Sequence, residues 1–173
     1  MNNQNSPPYY NPPTTNWSIL GAATLLAFGI LVIVGVFLPW ISGSVNLFGG
    51  SFAGDISGWE LTISVGAEEV PGVLFATVGA SFIVIFAWLS LLLALTVGRK
   101  SMVRYLFIFS VIINLLTIGG FIWFLIDVVS ENAFSIIKFG FYLSGGAAIA
   151  GFIFGIVAFI RTQFRVVNFK EVI

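Results

Sequence analysis

The chain has 173 residues, of which 58% are hydrophobic and 8% charged, with a mean hydropathy of +1.07 and a formal net charge of zero. Ordinary soluble domains carry roughly 25% charged residues, so a water-bathed globule is excluded, and zero net charge argues against nucleic acid or a polybasic grip on anionic lipid. Cysteine and histidine are absent, which removes disulfides, thiol chemistry, zinc and haem ligation, and imidazole catalysis together.

One membrane domain remains, with little chain outside the bilayer, and the composition calls for no cofactor. Residues 1–16, MNNQNSPPYYNPPTTN, hold no charged side chain and no aliphatic residue beyond the initiator. They cannot bury enough surface to offset their ordering entropy and read as a disordered, Pro/Asn-rich tail. Pro7-Pro8-Tyr9-Tyr10 matches the PPxY pattern of WW-domain ligands, a short pattern beside the plainer reading of a solvated leader.

A run without charge from Trp17 to Leu38 is long enough to cross about 30 Å of hydrocarbon. It is the first expected span, bracketed by Trp17 and Trp40 as interfacial anchors and stopped by Pro39. The next segment, 41–72, is the first outer loop. Trp59-Glu60-Leu61-Thr62-Ile63-Ser64-Val65 alternates strictly and predicts a strand, with Ser44 to Phe48 as a weaker partner and 49–58 as the turn region. A small β-hairpin lying on the helix ends is the expectation, with Trp40 and Trp59 packing the loop. Asp55, Glu60, Glu68 and Glu69 lack the spacing of a calcium loop and read as solvated acids.

The second and third spans are expected at 73–97 and 102–126, joined by the tight basic turn Gly98-Arg99-Lys100-Ser101, with Arg104 just beyond. Ser110, Asn114 and Thr117 fall at i, i+4 and i+7 and form a polar stripe on one helix face. Asn114 is expected to turn inward and hydrogen-bond a neighbouring helix, as interhelical glue. A second outer loop, 127–139, precedes the fourth span at 140–160. There Ala147, Gly151 and Gly155 make a small-xxx-small ridge for close helix approach, internal or towards another protein. Residues 161–173 read as an interfacial tail carrying Arg161, Arg165 and Lys170, whose last residues, Glu171-Val172-Ile173, also suit a PDZ-like groove.

With four spans, both termini share one side with Arg99, Lys100, Arg104, Arg161, Arg165 and Lys170, leaving Lys138 alone opposite. Six bases against one predict cytoplasmic N and C termini. The expected fold is an all-α transmembrane, antiparallel four-helix bundle with a small β-hairpin in the first outer loop.

Leu38-Pro39-Trp40 at the end of the first span, Gly58-Trp59-Glu60 in a Gly-rich outer loop, the basic inner turn and the glycine-rich last span resemble small bacterial four-span membrane proteins of unassigned function. In topology the chain also resembles, more distantly, the claudin and peripheral-myelin-protein group, although that group's cysteine pair has no counterpart here. The resemblance implies a bacterial cell-membrane location and a first-loop sheet seated on the bundle.

No ionisable side chain is expected inside any span, which favours a structural or interaction protein, an accessory or scaffold subunit, over a transporter. Its partners would be the lipid bilayer and other membrane subunits or a second copy of itself. The alternative is a small oligomeric channel or transporter lined by Asn114, Ser110, Thr117, Ser81 and Ser90. A membrane enzyme, for which only Asp55, Glu60, Glu68, Glu69, Asp127 and Glu131 are candidates, is not expected.

Overall fold

The computed structural model describes residues 16–47, 50–65, 71–96, 100–130 and 134–167. In chain order it contains α1 (Trp17–Phe37), β1 (Pro39–Leu47), β2 (Gly50–Ser57), α2 (Gly58–Val65), α3 (Pro71–Thr96), α4 (Lys100–Ser130), a 3-10 turn (Phe134–Ile136) and α5 (Phe139–Val167). Segments of α1, α3, α4 and α5 are long and apolar enough to cross a membrane, with mean hydropathies from 2.2 to 2.6. Their Ile-, Val- and Phe-rich sequences would suit strands in water. In hydrocarbon a single segment satisfies its backbone polar groups only as a helix.

The protein is therefore a multi-pass integral membrane protein built on a four-helix bundle with a small antiparallel sheet. Helix α1 packs against α3 and α5, and α4 packs against the same two, so the chain goes round the bundle in order and closes α5 onto α1. Two apolar cores fill the interior. One, at the sheet end, gathers Val32, Val36, Trp40, Phe121, Phe124 and Phe141; the other, at the far end, gathers Ala22, Leu25, Ala87, Val103, Phe107 and Ala158.

Asn16 caps α1, accepting the Ser18 amide on its side chain at 3.3 Å and the Ile19 and Leu20 amides on its carbonyl. Asn16, read from sequence as the last residue of the tail, thus belongs to the first helix as its cap. At the other end of α1, Leu38 adopts an extended conformation, as a residue preceding proline must.

The hairpin exists, and the expected weaker strand from Ser44 lies in β1 as far as Leu47, but its partner is β2, in the segment expected as the turn, and not 59–65. β1 and β2 pair from Pro39↔Ser57 to Leu47↔Gly50, with a register shift between Pro39 and Ile41. That irregularity turns consecutive residues Trp40 and Ile41 both inward, each fully buried. Gly43 and Gly54 face each other across the ladder, both at positive φ (125° and 97°), which other residues would adopt only with strain.

The segment 59–65, expected as a strand from its alternation, is helix α2. Ser57 and Glu60 decide this as a reciprocal capping box: the Glu60 amide donates to Ser57 Oγ at 3.2 Å, and the Ser57 amide donates to Glu60 Oε2 at 2.8 Å. As a helix the segment buries Leu61 and leaves Trp59 and Ile63 exposed. Thr62 Oγ1 then meets Thr77 Oγ1 of α3 at 3.2 Å and ties the short helix to the bundle.

Helix α4 runs to Ser130, beyond the expected end of its span, and α5 continues to Val167. Asp127 and Arg161 consequently lie within the membrane-length parts of α4 and α5, and Arg104 lies within that of α4 as it already did within the expected span 102–126, against the expectation of spans free of ionisable groups. The proposed PPxY motif, Glu68, Glu69, Arg99, Glu131, Lys170 and the C-terminal residues fall outside the described residues.

Candidate functional site

The most elaborate packing is at the sheet end, around Trp40. Its indole is fully buried, donates Nε1–H to the Gly35 carbonyl at 2.9 Å, and packs in tilted and edge-on contacts against Phe121, Phe124 and Phe141 at centroid distances of 5.2 to 5.7 Å. A Cβ at Gly58 would fall 2.5 to 2.8 Å from the ring, so only glycine lets α2 start directly against it. Trp59 lies on the outside, 46% exposed, against Phe37 at 5.7 Å. The two tryptophans of the loop thus differ in role: one locks α1, α4 and α5 together under the hairpin, and the other faces the surroundings.

The segment before α5 is stitched to the hairpin. Ile137 forms a bridge with Ile41, and the Lys138 amide donates to the Trp40 carbonyl at 2.8 Å. Between this segment and the hairpin opens a cleft of about 390 Å³ lined by Leu38, Pro39, Ser42, Asp55, Lys138, Phe139 and Gly140. A second opening of about 360 Å³ is an apolar groove between α3 and α4, with Phe75, Phe82, Phe86, Ile113 and Leu116 among its walls.

Glu60, on the rim of α2, has its carboxyl held below the usual range. The Ser57 backbone amide contributes most and the Ser57 hydroxyl adds to it, against a small opposing effect of burial.

Between the two apolar cores lies a waist of small and polar residues. The predicted stripe Ser110, Asn114 and Thr117 is buried there. It does not supply the expected interhelical hydrogen bonds. Asn114 Nδ2 donates to the Ser110 carbonyl and Thr117 Oγ1 to the Ile113 carbonyl, both within α4, while Asn114 Oδ1 and Ser110 Oγ have no partner. Thr117 packs against Gly79 of α3, and Asn114 Oδ1 would lie 3.1 Å from a Cβ at Gly151.

Gly155 faces Val111 and Leu25, and Ala147 is buried, so the ridge on α5 is used up inside the bundle against α1 and α4. Sequence reasoning missed two tighter crossings. A Cβ at Gly120 would sit 2.7 Å from the Gly72 carbonyl, and one at Gly140 would sit 2.8 Å from the Gly35 carbonyl. No fixed period marks them, since each pair joins two different helices.

At the far end, the Arg161 guanidinium lies 5.7 Å from the Trp17 ring centroid, a cation–π arrangement. Arg104 is half-buried and its Nε has no partner. Of the remaining topology residues, Lys100 begins α4 and Arg165 lies in the last turns of α5.

These features define the class: a multi-pass membrane bundle, packed along its length and closed at one end by a hairpin. Compared with known proteins, the chain matches no family, no curated relative and no solved structure.

Proposed function

We propose that the protein is a structural subunit of the membrane, holding a partner through the hairpin end and the α3–α4 groove and catalysing no reaction of its own. The observation that carries this reading is the filled interior: Leu25, Phe107, Val32, Trp40 and Phe124 are all buried in the two cores along the bundle axis. The fourth-span ridge, being internal, leaves the hairpin, the exposed Trp59 and Ile63, and the α3–α4 groove as the contact surfaces.

The termini are cytoplasmic and the location is a bacterial cell membrane. The charge asymmetry supports the orientation, with Arg104 and Arg161 at the end opposite Lys138. A hairpin on a four-helix bundle supports an architectural likeness to the claudin and peripheral-myelin-protein group without carrying any activity across.

A photo-crosslinking residue placed at Trp59 or Ile63, in cells, is expected to trap one discrete protein adduct, whereas the same residue at Leu95 is expected to trap none. Lipid-only adducts from all three positions would contradict the reading. One observation favours the alternative of a small channel or transporter: Asn114 Oδ1 and Ser110 Oγ are buried and unpaired at the waist. Ion or solute flux in proteoliposomes that disappears in Asn114→Leu would promote it.

A further inference from the structure

The cleft between hairpin and α5 has walls of opposite charge held in fixed places. Asp55 stands directly across the ladder from Ser42, so the hairpin register sets both on one side. Lys138 is fixed on the other side by its backbone bond to Trp40 and by the neighbouring Ile41↔Ile137 bridge. Both charged side chains are exposed, and among the described residues no ion pair joins them. An opposed acid and base that line one cleft and stay apart leave room for a ligand carrying both complementary charges.

The cleft also sits where water meets hydrocarbon. Helix α1 ends at Phe37 and α5 begins at Phe139, and the wall residues Leu38, Pro39, Phe139 and Gly140 belong to those two ends. Phe37 and Phe139 are strongly exposed, and one turn deeper Val34 and Tyr142 are exposed as well. Phe139, a wall of the cleft, and Tyr142, three residues on along the same face of α5, therefore continue the cleft into the membrane as an apolar strip.

We propose that this cleft binds a zwitterionic phospholipid headgroup with a primary ammonium, as in phosphatidylethanolamine. Lys138 meets the phosphate, Asp55 and the Ser42 hydroxyl meet the ammonium, and the acyl chains lie along Phe139 and Tyr142. A phosphatidylcholine headgroup offers no N–H to Asp55, and phosphatidylglycerol offers no cation. Asp55 thereby acts as the selector between headgroups, and Lys138 as a common phosphate contact.

The test is lipid retention by the full-length protein, extracted from vesicles of equal parts phosphatidylethanolamine, phosphatidylcholine and phosphatidylglycerol and read by native mass spectrometry. Retention of phosphatidylethanolamine is expected to exceed that of the other two by about 1.5- to fivefold, the range for exposed charge pairs. Asp55→Asn is expected to abolish the preference, and Lys138→Met to weaken retention of all three lipids alike. Both side chains are exposed, so the melting temperature of each variant should match the parent and separate loss of binding from loss of fold. Equal retention of the three lipids, or a preference unchanged in Asp55→Asn, would overturn the proposal. Soluble O-phosphoethanolamine that binds in an Asp55-dependent way while no lipid is retained would overturn the lipid as the source of the headgroup.

Discussion

Trp40 carries more of the architecture than any other side chain, because it does three things in one place. It fills the sheet-end core, it closes the α1 terminus through its bond to the Gly35 carbonyl, and it provides the floor against which Gly58 starts α2. Trp40→Ala removes the ring from between Phe121, Phe124 and Phe141 and is expected to destabilise the protein by about 3 to 5 kcal/mol in a denaturation series in detergent. Trp40→Phe is expected to recover part of this, since it restores packing but not the hydrogen bond to Gly35. Equal stability of Trp40→Ala and the parent would refute the assignment.

Glu60 makes a second, smaller prediction at the same scale. Its carboxyl is depressed by the Ser57 amide and hydroxyl, so the stabilisation of α2 is fully present above the ordinary glutamate pKa and is lost as pH falls through the depressed folded value. Protection of the α2 amides against hydrogen exchange, taken relative to the intrinsic rate at each pH, should therefore fall on acidification below about pH 4. Glu60→Gln keeps a capping side chain and is expected to remove this pH dependence, whereas Glu60→Ala should expose α2 at every pH. An acid response that persists in Glu60→Gln would place the titrating group elsewhere.

Among the elements, what decides the bundle is close backbone approach, because lipid offers helices no hydrophobic gain on association and packing contacts have to supply it. Gly72 with Gly120, and Gly35 with Gly140, bring carbonyls of one helix against the α-carbons of the next. Gly119, the immediate neighbour of Gly120, has open space where a side chain would be. Gly120→Leu is therefore expected to destabilise α3–α4 packing by about 1 to 3 kcal/mol or more, and Gly119→Leu to leave the melting temperature nearly unchanged. Similar losses in both would mean that helix propensity, not the crossing, is being measured.

The four long helices were legible in the sequence because crossing hydrocarbon imposes a coarse requirement, about twenty apolar residues in a row, that Trp17–Phe37 and its counterparts meet plainly. The hairpin was legible only as a Gly- and Ser-rich polar loop. Alternation in 59–65 suggests a strand, yet Ser57-x-x-Glu60 straddles its start, and a local cap outweighs a pattern only seven residues long. The stripe at Ser110, Asn114 and Thr117 was readable as one face of α4 because its spacing lies within a single helix. Gly72 and Gly120 were not, since nothing in one chain tells which faces of two helices meet. The cleft of Asp55 and Lys138 was hidden for the same reason: residues far apart in sequence are joined there by strand register and a backbone bond.

For the whole molecule, local and global electrostatics oppose each other at the start of α4. Lys100 and Arg104 sit in its first turns, where the positive end of the helix dipole disfavours a base by about 0.3 to 1 kcal/mol. The proposed cytoplasmic placement of that end gives these bases their reason, because topology is set by loop charge and not by the dipole. The parent has no cysteine, so single-cysteine labelling is free of background. Ala53→Cys on the exposed hairpin is expected to react with a membrane-impermeant maleimide from outside intact cells, and Ser101→Cys only after lysis; the reverse pattern would invert the protein in the membrane.

The packed interior is tested most directly at its waist. In Asn114→Cys, reconstituted in vesicles, the thiol is expected to stay unreactive towards a small charged methanethiosulfonate reagent supplied to both faces. It is shielded there by Gly151 and Phe28, with Val111 and Gly155 one turn away. Rapid modification of that thiol would mean that water reaches the middle of the bundle, and the protein would then be a conduit, not a support.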